Sequence, residues 1–157
     1  MDISLALHKA EGFALPMIVQ DPYPPEFEKA YEQTKEYISM FSQLCREHHI
    51  PMVLLVIPTG FQVDKSEWEA MGLKKFYSDK MFNENAVRAT SQFADYAKEK
   101  GIPHLDLLPI FRQTTTRPLF FKVDYHFNKS GNQLAAQSIF SYLTTNHMIS
   151  DSRDTKP

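Results

Sequence analysis

Twice in this chain an amphipathic helical pattern runs into Ile-Pro and then into a short apolar strand, at Ile50-Pro51 and at Ile102-Pro103. Proline disfavours helical geometry in the residue before it and cannot continue a helix itself. Each helix must therefore stop at a fixed point and hand over to extended chain. Helix and strand alternating at this spacing predict a right-handed α/β arrangement with parallel strands. The first strand, about 51–57, carries Met52-Val53-Leu54-Leu55-Val56-Ile57. Apolar residues on both faces suit a strand covered on both sides. The second strand is His104-Leu105-Asp106-Leu107.

The helix before the first strand spans about 26–48. Phe27, Ala30, Tyr31, Thr34, Ile38, Phe41, Leu44 and Cys45 recur with the helical period and predict its buried face. A second helix covers about 84–99, with Ala86, Ala89, Phe93, Ala94 and Ala97 inward and Gly101 as its C-terminal cap. A third runs from about 129 to 145 behind Asn128 or Ser130 as cap, with Leu134, Ala135, Ile139, Tyr142 and Leu143 on its apolar face. Residues 61–83 read as a long loop with one short helix, and Pro109-Ile110-Phe111 as a short turn. Trp68, Phe76, Tyr77 and Phe82 make the long loop aromatic, either as a cover over the sheet or as a wall of a binding site. Three segments follow: an irregular lead-in over 1–25, an α/β domain over 26–145 and a polar tail over 146–157.

Two strands are few for this class, in which five or more are usual. An unpaired parallel strand leaves an open sheet edge, which is a liability. The expected fold is therefore a three-layer α/β/α domain with a parallel sheet, incomplete in this chain. Either residues 1–20 add a strand, or the chain is part of a larger domain, or it pairs with another chain.

With 157 residues, one domain is expected. The balance of 17 basic and 19 acidic side chains gives no electrostatic footprint for nucleic acid. No run approaches the roughly 20 apolar residues of a membrane span. Residues 1–20 lack the cationic leader of a signal peptide, which leaves the compartment open. A single cysteine excludes an internal disulfide and a cysteine-rich zinc site, and Cys45 reads as a small core residue rather than a reactive thiol. His8, His48, His49, His104 and His147 have no partners at metal-ligand spacing. Neither metal nor cofactor is expected.

The segment with chemistry in it is Phe121-Lys122-Val123-Asp124-Tyr125-His126-Phe127-Asn128-Lys129-Ser130-Gly131-Asn132, just before the last helix. In extended chain, residues two apart project to the same side. The Asp124 carboxylate can then reach the Nδ1–H of His126, fix its tautomer and leave Nε2 free as a general base. The plain alternative is an ordinary helix start, for which Asp and Asn are common, and spacing alone favours it.

Asp-Tyr-His-Phe-Asn, followed by Ser-Gly-Asn and an alanine-rich amphipathic helix, resembles the last block of the SGNH/GDSL hydrolase superfamily. The short Asp-x-His spacing with a following aromatic and Asn resembles its alginate O-acetyltransferase-like branch. Val56-Ile57-Pro58-Thr59 with Gln62-Val63, and Gly101-Ile102-Pro103-His104-Leu105-Asp106-Leu107, resemble two upstream strands of such proteins, so residues 26–145 match in order. The resemblance implies that Asp124 and His126 are the orienting acid and the base of a serine-type triad, acting in ester hydrolysis or O-acyl transfer on a small-molecule or carbohydrate ester. It departs in one respect. The family's Gly-Asp-Ser nucleophile motif and its Gly-x-Asn-Asp block are missing from these residues. Ser66, Ser78 and Ser130 carry no mark of an activated nucleophile. The expectation is an enzyme only in a longer protein, with this chain inactive by itself. The alternative is a non-catalytic α/β interaction module that self-associates through its open sheet edge.

Overall fold

The structure, a computed structural model, describes residues 24–70, 88–122 and 126–149. Its elements are α1 (Pro25–Glu47), β1 (Leu54–Val56), α2 (Gly60–Val63), α3 (Lys65–Ala70), α4 (Arg88–Glu99), β2 (His104–Asp106), α5 (Leu108–Gln113) and α6 (Lys129–Thr145). β1 and β2 pair in parallel, with Leu54 opposite His104, Leu55 opposite Leu105 and Val56 opposite Asp106. The described residues thus form helices around a two-strand parallel sheet, an incomplete α/β fold. Among the described residues, β1 and β2 are each other's only strand neighbours.

Both strands are shorter than the apolar runs suggest. The ladder starts where the Leu54 N–H donates to the Pro103 carbonyl, since Pro103 itself has no N–H to give. It ends at Asp106, whose Oδ1 accepts the Leu108 N–H at 2.9 Å and turns the chain into α5. What read as a turn at 109–111 is therefore a helix, with Pro109 near its start, where a missing N–H costs nothing. Gly101 ends α4 at φ 62°, a left-handed position that glycine takes without strain.

α1 has the expected bounds but a rotated buried face. Cys45 and Ser42 are buried, whereas Phe41 and Leu44 are 57% and 49% exposed. The cause lies in the partner helix. Tyr31 stacks on Phe93 of α4 with ring centroids 5.3 Å apart. The Ser39 hydroxyl meets the Tyr96 hydroxyl at 2.6 Å, and Arg88 pairs with Glu28 at 2.6 Å. Polar and aromatic groups of α4 thus draw Ser39 inward, which turns the Ser42 side of α1 in and Phe41 and Leu44 out.

The core gathers residues that follow the two strands. Phe61 and Val63 of α2, Leu107, Leu108 and Phe111 at the start of α5, Leu119, Phe120 and Ala135 of α6 form one buried cluster. Leu55 and Leu105 pack against it from the sheet. In open α/β sheets the carboxyl ends of strands are where sites form.

Candidate active site

The site is built at the start of α6. Asn128 caps the helix in extended conformation, its Oδ1 accepting the Gly131 N–H at 3.1 Å. Its Nδ2 donates to the carbonyls of Pro118, at 2.7 Å, and Phe120, at 3.2 Å. Its own N–H donates to the Leu119 carbonyl at 2.9 Å. Asn132 Nδ2 adds bonds to the Phe127 and Asn128 carbonyls at 3.0 and 3.1 Å. Gly131 allows the close approach: a Cβ there would overlap the Leu119 carbonyl oxygen and stand 3.1 Å from the Phe127 Cβ.

His126 sits in this frame. Phe120 and Phe127 form an antiparallel bridge, and the Phe121 N–H donates to the His126 carbonyl at 3.0 Å. The His126 backbone is therefore held at its carbonyl by Phe121 and leads directly into the capped helix, while its side chain is exposed. The Phe111, Phe120 and Phe127 rings cluster together, with Phe127 4.9 Å from Phe111 and 5.2 Å from Phe120. Asp124, the other half of the expected pair, falls outside the described residues, as do Ser78 and the aromatic residues of 71–87. Ser130 lies in the first turn of α6 and Ser66 in the first turn of α3.

Two further side chains order the region. Gln62 is buried and returns its Oε1 to the Thr59 N–H at 2.9 Å, a reciprocal cap of α2. Its carbonyl accepts Arg112 Nε at 2.9 Å, tying α2 to α5. Glu67 of α3 has no exposed side-chain surface. It accepts the Leu119 N–H at 2.7 Å and the Phe120 N–H at 3.3 Å, and Arg117 Nε stands 3.6 Å away. No sequence signal marked Glu67, because its partners lie 52 and 53 residues further along. Nearby, the Ser66 side-chain hydrogen bond holds the Asp64 carboxyl below its usual range, with the Ser66 N–H and the Arg117 charge acting the same way against partial burial.

Among the described residues no group of three His, Cys, Asp or Glu is placed to hold a metal ion. No described helix is long and apolar enough to cross a membrane.

Residues 20–156 match the family model of the SGNH hydrolase-like domain of the acetyltransferase AlgX. The chain belongs to that family. The Asp-Tyr-His-Phe-Asn resemblance and the incomplete α/β fold agree with the match. No curated protein and no solved structure matches the chain. Membership in an SGNH hydrolase-like, acetyltransferase-type family supports acyl transfer as the general kind of chemistry.

Proposed function

We propose that this domain supplies the base half of a serine-type acyl-transfer site, with His126 as general base and Asp124 orienting its ring. The observation that carries the reading is the fixed turn at the start of α6, which bonds the His126 carbonyl and the residues that follow it while leaving the His126 side chain open to solvent. Family membership supports it from a second direction.

In this mechanism His126 Nε2 accepts the proton of a serine hydroxyl as the serine oxygen attacks the ester carbonyl. The tetrahedral intermediate collapses and the alkoxide leaves, taking the proton back from the imidazolium. An acyl-serine remains. Water or an acceptor hydroxyl then repeats the sequence with His126 again as base, giving hydrolysis or O-acyl transfer. The acyl donor is a small-molecule or carbohydrate ester. None of these 157 residues forms a Gly-Asp-Ser motif, so the nucleophile and the oxyanion donors come from polypeptide outside them.

Hydrolysis of a short-chain nitrophenyl ester tests this. The expected result is no turnover by this chain, turnover by a longer form that includes an upstream Gly-Asp-Ser, and loss of that turnover in H126A and D124N. Activity of the 157-residue chain that H126A abolishes would place the nucleophile within it. Inactivity of both forms, with stable self-association, would favour the interaction module pairing through an exposed sheet edge.

A further inference from the structure

Glu67 is the one carboxylate of the described residues whose side chain has no exposed surface, and the acyl-transfer reading gives it no task. Burying a charge is costly unless the charge is fully paired. An apolar residue of similar size fills a core at least as well. The position therefore calls for an explanation in terms of what the carboxylate grips.

It grips two successive backbone N–H groups, those of Leu119 and Phe120. The carbonyls of the same two residues face the other way, toward the helix cap. Leu119 O accepts the Asn128 N–H, and Phe120 O accepts Asn128 Nδ2. The 119–120 segment is thus clamped on both edges, by Glu67 through its donors and by Asn128 through its acceptors. Phe121 comes next, and its N–H holds the His126 carbonyl. Arg117, just upstream, stands beside Glu67 and donates Nη2 to the Phe111 carbonyl at 3.1 Å, which ties the same segment to α5.

We propose that Glu67 is a positioning residue for the base: its two acceptor oxygens fix the 119–121 segment, and that segment fixes the backbone of His126. The inference rests on the reading of His126 as general base. Two oxygens are needed, because two N–H groups are held. A glutamine has one acceptor and sets a donor against the second N–H or Arg117. Aspartate keeps both oxygens and the charge on a side chain shorter by one methylene.

The test compares E67Q and E67D with the unsubstituted chain by amide hydrogen exchange, and by steady-state kinetics in the longer form that carries the nucleophile. In E67Q the Phe121 and Asn128 amides lose about tenfold or more in protection, while the ladder amides of Leu54 and Leu107 keep theirs, the pattern of a local opening. In the longer form E67Q lowers kcat about ten- to hundredfold with KM little changed, the effect expected of a misplaced base. E67D recovers part of both. The inference is overturned if E67Q leaves Phe121 protection unchanged, or lowers every amide alike, which would mean a stability role alone. If H126A leaves turnover intact, the base reading fails, whatever Glu67 does. If H126A abolishes turnover and E67Q matches the unsubstituted enzyme in kcat, the base reading stands and the Glu67 inference falls. Should E67Q not fold, E67D carries the same comparison.

Discussion

Asn128 Nδ2 donates to the Pro118 carbonyl at 2.7 Å, so the residue that caps α6 also holds the segment 10 positions before it. Serine can replace the cap but cannot reach both carbonyls. N128S is expected to keep most of the helix-cap contribution and lose the cross-link. N128A loses both, at a cost of about 1–2 kcal/mol. Urea unfolding of the three proteins checks the order: Asn, then Ser, then Ala. Equal midpoints for N128S and N128A would mean that the cap carries nothing beyond the cross-link.

Gly131 yields a prediction whose sign is diagnostic. In the first turn of an exposed helix, Gly→Ala stabilises by up to about 1 kcal/mol. Here the new methyl group would overlap the Leu119 carbonyl oxygen, which is backbone and cannot swing aside. G131A should therefore destabilise by about 1–3 kcal/mol, as overpacking does. Because Leu119 O is also the acceptor for the Asn128 N–H, the Asn128 amide should lose protection in the same variant. A stabilised G131A would show that α6 stands further from the 119–120 segment.

What the sequence discloses here is what depends on neighbours along the chain. α6 begins after the Asn128 cap and runs over Lys129–Thr145, as periodicity and capping chemistry indicate, because both are local. The Ile-Pro junctions likewise mark the two strands. The Thr59-x-x-Gln62 cap has a local signal, a Thr/Gln pair three apart, but it straddles the junction between the strand end at Pro58-Thr59-Gly60 and the stretch over 61–83 that reads as a loop. The buried face of α1 depends on α4: nothing near Ser39 announces that Tyr96 will meet it from 57 residues away. Glu67 is the extreme case. A charged residue on a short helix reads as solvated, and only the fold brings Leu119 and Phe120 to it.

Asp64 begins α3, its Oδ1 accepting the Ser66 N–H at 2.7 Å. Hydrogen bonding to the ionised form lowers its pKa. A carboxyl whose folded pKa is depressed contributes stability above the unfolded value and loses it as pH falls through the folded one. The window therefore lies below the ordinary 3.8 of this group. At neutral pH, D64A should cost about 0.5–2 kcal/mol, the range for a lost cap. As the pH drops through this window, the gap between D64A and the unsubstituted protein should narrow. Unfolding midpoints measured from neutral pH to about pH 2 check it. A gap independent of pH would assign the effect to geometry rather than charge.

α1 offers a direct contest between periodicity and packing. The helical pattern places Phe41 and Leu44 in the buried stripe, where replacing either by a small polar residue would cost about 2–5 kcal/mol. In the fold both are about half exposed, and the buried positions of that stretch are Ser42 and Cys45. The physical reason is that α4 presents Tyr96 to Ser39 and Phe93 to Tyr31, which fixes the rotation of α1 about its axis. F41S and L44S should then change stability by less than about 1 kcal/mol each, as surface substitutions do. Enlarging Ser42 to leucine should cost about 1–3 kcal/mol, because a side chain 4% exposed has no room to grow. Thermal or urea unfolding of the three variants decides the rotation: a large loss in F41S with a tolerated S42L would turn the Phe41 face inward and the Ser42 face outward.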